Sequence, residues 1–169
     1  MQLYPENALQ QLEFDKIISI LSNSCQSPIG KEMVDEMRIH THPKYIQTAL
    51  SQTQEYKFIK SANQYFPSDF VVDIRKDLKL LGIPGAQLTG EQWLMVRKLA
   101  DHIQQVFRWF DAERKDAFAN LYLILDGTYY EKQIIDSIDA IIDERGNVKD
   151  NASEDLAKIR TQLFKTRQT

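Results

Sequence analysis

The sequence predicts an all-α fold: an irregular multi-helix bundle with a small β-hairpin or extended corner near residues 140–150. Three observations point there. Apolar residues recur at steps of three and four along most of the chain, the period of one helix face. All five prolines (Pro5, Pro28, Pro43, Pro67, Pro84) fall between periodic segments or at their first turn, where a missing N–H costs nothing. A β-branched pair, a glycine turn and a further β-branched residue come together only over 140–149.

Residues 1–11 read as a short lead-in. Over 12–25, Phe14, Ile17, Ile18 and Leu21 give a helix of modest length. Ser27-Pro28 then supplies an N-cap and a first-turn proline for a helix using Ile29, Met33, Val34 and Met37. Gly30 sits in its first turn, unfavourable unless something packs close. His42-Pro43 opens a longer helix to residue 60, with Ile46, Ala49, Leu50, Thr53, Tyr56 and Ile59 inward. Residues 61–68 are polar and proline-bearing, so a loop. A short helix over 73–81 uses Ile74, Leu78 and Leu81, and Gly82 stops it. Residues 83–88, with Pro84-Gly85, are a turn.

The central helix spans 89–111. Trp93, Val96, Ala100, Ile103, Phe107 and Phe110 share one face, and Leu99, Val106 and Trp109 widen it. A face that broad is expected to be buried on more than one side, so Phe107→Ala is expected to cost about 3–5 kcal/mol. Thr89 caps this helix and Gln92, three on, completes a capping box. The charged run 113–116 reads as exposed. Short helices follow over 117–125, ended by Asp126-Gly127, and over 129–138. Ser153 caps a last helix with Glu154 and Asp155 at its start and Lys165 and Arg167 near its end, an order that suits the helix dipole. Leu156, Ile159 and Leu163 form its seam, which still runs at Thr169 as if the helix were cut. No internal repeat or low-complexity tract is present.

A length of 169 residues fits one domain and can bury about 70% of the unfolded surface. The net charge of −3 gives no basic excess of the kind nucleic-acid domains show. The single cysteine, Cys25, excludes an intrachain disulfide and a Cys-rich zinc site, and fits a reducing cytoplasm. The N-terminus has no signal pattern, and no apolar run reaches the roughly 20 residues of a membrane span.

Chemistry-bearing patterns are thin. His40 and His42 are two apart in a loop, and His102 falls on the polar edge of the central helix beside Asp101, so all three read as solvated. A paired Glu-x-x-His metal pattern is absent. Asp69, Asp73 and Asp77 recur every four residues, as do Asp139 and Asp143. Interleaved Arg75, Lys76 and Lys79 favour a wet helix face over a cation site. There is no Gly-x-Ser-x-Gly elbow, and the glycines at 85 and 90 lack the lysine of a P-loop. Lys158, Arg160, Lys165 and Arg167 follow the helix dipole more simply than a phosphate backbone. Trp93, Phe107, Trp109 and Phe110 have core spacing rather than that of a base-stacking platform. No catalytic, cofactor-binding or metal residue is assigned.

The run Gly146-Asn147-Val148-Lys149-Asp150-Asn151-Ala152-Ser153-Glu154-Asp155-Leu156-Ala157-Lys158-Ile159-Arg160 resembles the segment of MutS-family proteins where a glycine-containing corner leads into the first long lever helix. Asp150-Asn151-Ala152-Ser153 resembles most the MutS-two branch, the bacterial paralogue without mismatch-reading N-terminal domains. Ser27-Pro28-Ile29-Gly30-Lys31-Glu32-Met33, with the helix carrying Ile46 and Ile59, is similar to the start of the family's core domain. Leu12-Glu13-Phe14-Asp15-Lys16-Ile17 is similar to the usual opening of a MutS-two chain. The resemblance implies an N-terminal part of the core domain over 1–152 and the truncated start of the lever over 153–169. Gly30, Gly146, Val148, Asp150, Ser153, Leu156, Ile159 and Arg160 are its structural signature.

Such proteins are cytoplasmic, dimeric ATPases of the ABC type with lever, clamp and P-loop domains, and commonly a C-terminal nuclease domain. Suppression of recombination through branched DNA and rescue of collided ribosomes are roles attributed to them. ATP and Mg are therefore expected for the parent, with no cofactor in this fragment. The expected partners are the remainder of its own chain and, for the parent homodimer, branched DNA or ribosomes, with no membrane. The family's catalytic residues map onto no position here. Two other readings stay open: a stand-alone helical interaction module, and an enzyme whose cation needs Asp73 and Asp77 to converge with another acid.

Overall fold

A computed structural model describes residues 5 and 7–167. They form ten α-helices and one short 3-10 turn, with no strand among the described residues, so the all-α expectation holds. One isolated antiparallel bridge, Ile142 to Val148, marks the extended corner. The chain divides into two compact units, one reaching to Tyr65 and taking in Phe118–Ile124, the other comprising Phe66–Ala117 and the chain from Leu125 on.

In the first unit, α1 (Ala8–Gln11) and α2 (Phe14–Ser24) are broken apart at Glu13, whose φ of 53° is left-handed. Of the lead-in expected over 1–11, residues 1–4 and 6 lie outside the described residues. α3 (Pro28–Asp35) packs on α2 and opens as its residues dictate, with the Ser27 hydroxyl accepting from the Gly30 amide at 3.0 Å. α4 (Pro43–Ser61) packs against the short α8 (Ala119–Tyr122). The Glu55 carboxylate accepts from the Asn120 and Leu121 amides at 3.2 and 2.7 Å, satisfying donors that a four-residue helix leaves open. Ile59 is 0% exposed, but Leu50, expected inward, is 61% exposed, and Ile46, Met33 and Met37 are exposed too. The reason is coverage: α8 is far shorter than the face of α4 that the sequence makes apolar.

In the second unit, α6 (Gly90–Trp109) begins with the expected capping box: Thr89 Oγ1 accepts from the Gln92 amide, and Gln92 Oε1 accepts from the Thr89 amide at 2.8 Å. α5 (Arg75–Leu81) is tied to it by Gln92 Nε2 donating to Asp77 at 2.6 Å. α9 (Lys132–Ile141) packs along α6, three residues later in the chain than expected, because Glu131 caps it by accepting from the Gln133 amide at 3.0 Å. The β-branched residue Ile141 thus ends a helix instead of opening a strand. α7 (Ala112–Ala117) makes a helix of the charged run, whose Glu113, Lys115 and Asp116 are exposed as expected, and α10 (Glu154–Arg167) closes the described chain.

The aromatic part of this unit's core sits at the end of α6, while Leu88, Ile138 and Ile142 are buried towards its start. Phe66, Trp109 and Phe110 meet edge to face, with Trp109 centroids 4.9 Å from each of the other two, and the Arg114 guanidinium lies 5.0 Å from the Trp109 ring. Trp93, Val96, Leu99, Ala100, Val106 and Phe107 are only half-buried and Ile103 is exposed, so the periodic face is incompletely covered; α6 is nonetheless packed on more than one side, by α9 along Trp93 and Arg97 and by Phe66 and Phe70 against Trp109 and His102. His102 reverses the sequence expectation. It is 9% exposed, because the stretch before α5 brings the Phe70 ring edge-on at 6.0 Å and Asp69 Oδ1 to 4.0 Å from its Nδ1.

Candidate functional site

The residues singled out as a signature meet mostly at the corner between α9 and α10. Asp143 builds it: its Oδ1 accepts from the amides of Arg145 and Asn147, both at 2.8 Å, and its own amide donates to the Asn147 carbonyl at 2.8 Å. These bonds favour the ionised carboxyl, the Asn147 amide most, and hold it below its usual value. Gly146 turns the chain with a φ of 83°. The bridge between Ile142 and Val148 and the Lys149 amide donating to the Ile141 carbonyl at 2.8 Å then fasten the corner to the end of α9.

Two glycines let this turn touch the start of α6. A Cβ on Gly90 would lie 1.6 Å from the Gly146 carbonyl oxygen, and one on Gly146 would lie 3.2 Å from the Gly90 carbonyl carbon. Backbone meets backbone there: Gly90 has no room for a side chain, and one on Gly146 would be tight and strained by its left-handed φ. The helix that leaves the corner is anchored at its base. Ser153 Oγ accepts from the Leu156 amide at 3.2 Å, and Arg160 Nη1 donates to the Val148 carbonyl at 3.1 Å and pairs with Asp150.

Gly146, Val148, Asp150, Ser153 and Arg160 are therefore brought together. Leu156 is half-buried beside them, Ile159 on the same helix is exposed, and Gly30 lies in the other unit at the start of α3. Three contacts of this region carried no sequence signal: Gly90 against Gly146, Arg97 with Asp139, and Lys149 on the end of α9. Arg97 of α6 grips Asp139 of α9 through two parallel bonds, Nη2 to Oδ2 being 2.9 Å, and Lys149 Nζ donates to the Asp139 backbone carbonyl at 2.5 Å. Their separation along the chain, 42 residues for the Arg97–Asp139 pair, leaves no local pattern to read.

The hydrogen bonds that Arg97 donates lower the Asp139 pKa against the opposing effect of burial, and the same bonds raise that of Arg97. A carboxyl depressed in the folded state contributes stability that is present above its unfolded value, about 3.9, and lost as pH falls through the folded one. Asp139→Asn is thus expected to flatten the fall of stability with acid below about pH 4. Both partners are more than a third exposed, so solvent keeps the effect small. Denaturant titrations at a series of pH values check this, and parallel curves for the two proteins would refute it.

The candidate cation ligands part company. α5 starts at Arg75, so Asp69, Asp73 and Asp77 do not share a helix face. Asp73 is engaged by Arg75, whose bonds bring its pKa down to about 2, while Asp77 accepts from Gln92 and Asp69 lies near His102. Asp139 and Asp143 divide between Arg97 and the turn. Among the described residues no three His, Cys, Asp or Glu side chains gather where a metal ion would sit. His40 stacks on Tyr45 with centroids 4.3 Å apart. An apolar hollow of 420 Å³ between α6 and α9 is lined by Trp93, Ile134, Ile138, Ile141 and Ile142, with Glu131 at its edge. No described helix is long and apolar enough to cross a membrane.

The chain is similar along nearly its whole length to proteins named endonuclease MutS2. It is 28% identical over 157 residues to that of Geobacillus kaustophilus, 25% over 164 residues to that of Halothermothrix orenii, and 27% over 160 residues to that of Aquifex aeolicus. These matches take in 92–94% of the chain and 20–21% of each relative, so the chain spans about a fifth of their length. The similarity extends well beyond the three motifs that carried the resemblance. No family model and no solved structure matches the chain.

Proposed function

We propose that a chain this similar to endonuclease MutS2 serves as a non-catalytic core and lever scaffold of a MutS2-like protein. One observation supports this most: α10 is bound at its base by Ser153, Val148 and Asp150, while Ile159, Leu163 and Phe164 stand exposed beyond it. A helix fixed at one end and bare along its apolar seam suits the start of a longer lever. On this reading residues 1–152 are the N-terminal part of the core and 153–169 open the lever. The signature residues at the corner, Gly146, Val148, Asp150, Ser153, Leu156, Ile159 and Arg160, set the exit angle, and Gly30 shapes the start of α3.

These residues hold no nucleotide or metal in the proposal. ATP and Mg belong to the ATPase part of the parent, and the partners are the rest of the chain and a second parent copy acting on branched DNA or ribosomes. The relatives' name extends endonuclease activity to that parent as a further part of the proposal. The purified chain is expected to show no ATP turnover above a buffer blank and no gel shift of duplex or four-way DNA at physiological salt. Tight, specific DNA binding would overturn the scaffold reading.

A second reading has its own observation in favour. Exposed apolar side chains stand on helices of each unit, Ile17 and Leu50 in the first and Ile134, Ile141 and Phe164 in the second, as they do on a module that binds a protein partner. A stop codon directly after Thr169 in the gene would favour that reading, and a Walker lysine encoded downstream would favour the first.

A further inference from the structure

Two clamps in the second unit are bridged by one residue that belongs to neither. The first is the forked pair of Arg97 on α6 with Asp139 on α9. The second is Arg160 of α10 on the Val148 carbonyl and Asp150. Lys149 lies between Val148 and Asp150 and takes hold of α9 twice, through its amide on the Ile141 carbonyl at 2.8 Å and its ammonium on the Asp139 carbonyl at 2.5 Å. Carbonyls in the last turn of a helix have no partner within it and carry the negative end of the dipole, so an ammonium is well placed there. The same Asp139 whose carbonyl Lys149 holds presents its carboxylate to Arg97.

We propose that Lys149 is a positioning residue that joins the Arg97–Asp139 clamp and the Arg160–Val148–Asp150 clamp into one latch, so that loosening either loosens both. Each ion pair alone is partly exposed and weak: side-chain exposure is 36% and 43% for Arg97 and Asp139, and 85% for Asp150. Coupling is what lets such weak pairs hold α10 at a set angle to α6 and α9, since linked hydrogen bonds act as more than a sum of pairs. The latch does not depend on the scaffold reading, because it concerns only bonds within this unit.

The test is native-state hydrogen exchange on the whole chain, read at the Ala157 amide in α10 and the Ile142 amide after α9. Four proteins form the cycle: the unaltered chain, Arg97→Met, Arg160→Met and the double variant. The double variant is expected to speed exchange by a factor departing about three-fold or more from the product of the two single effects. With Lys149→Met in the background the factors are expected to multiply, and Lys149→Arg, which keeps a donor, is expected to restore the departure. Should Arg97→Met fail to fold, Asp139→Asn takes its place, since it loses the charged pair and keeps the carbonyl under Lys149. Simple multiplication in the presence of Lys149 would overturn the latch. DNA binding or ATP turnover by the chain would instead count against the scaffold reading and leave the latch standing.

Discussion

Gly90→Ala is expected to destabilise the chain by about 3 kcal/mol or more, the upper end of what overpacking costs. The new methyl would sit 1.6 Å from the Gly146 carbonyl oxygen, far inside contact distance. Both sides of that contact are backbone, so no rotamer change relieves it. Moving the first turn of α6 away would pull on the Thr89–Gln92 box, and moving the turn at Gly146 would pull on the bridge between Ile142 and Val148. The sign of the effect is diagnostic. Gly90 is the first residue of a helix and has no left-handed φ, so without the close approach alanine would be favoured by up to about 1 kcal/mol. Gly85→Ala is the control: its φ of 82° is unfavourable to a side chain, but nothing lies within 4 Å, so the cost should be about 1–2 kcal/mol. Chemical denaturation separates the cases, and a Gly90→Ala protein as stable as the original would show that the two backbones do not touch.

Phe110→Ala is expected to cost about 3–5 kcal/mol, the range for removing a buried aromatic ring. Phe110 is 3% exposed and meets Trp109 at 4.9 Å and Phe66 at 6.2 Å. Phe107 lies on α6, on the apolar face that leads to Phe110 just past its end, but is only half-buried, so Phe107→Ala should cost about half as much. Melting and denaturant curves for the pair locate the aromatic core of this unit. A larger loss for Phe107 would put the core along the middle of α6, where periodicity alone had placed it.

What was legible in the sequence was whatever four or five consecutive residues decide. Thr89 with Gln92, Ser27 with Pro28, and Ser153 before its helix all bind within three residues of themselves, and all three caps stand where the residues indicate. The corner was legible as far as Gly146, since a glycine turn with Asp143 three residues before it and Asn147 directly after it is written locally. Burial was not. Periodicity says that Leu50 and Ile103 lie on an apolar face, but what covers that face depends on the length of its neighbour. His102 looked solvated because its immediate neighbours are polar, while Phe70 and Asp69, which enclose it, come from a distant segment. Gly90 against Gly146 and Arg97 against Asp139 escaped notice for the same reason: each residue is ordinary in its own stretch and acquires meaning only from its partner.

On the proposed lever reading, α10 is anchored at its base and its bare seam is covered by the rest of a longer protein. Hydrogen exchange of the amides over 159–164, measured in this chain alone and in the full-length protein, tests that most directly. In the isolated chain these amides should exchange within about ten-fold of an unprotected peptide, and in the full-length protein about a hundred-fold or more slower. Equal protection in both would contradict the claim, since α10 would then need nothing beyond this chain to be complete.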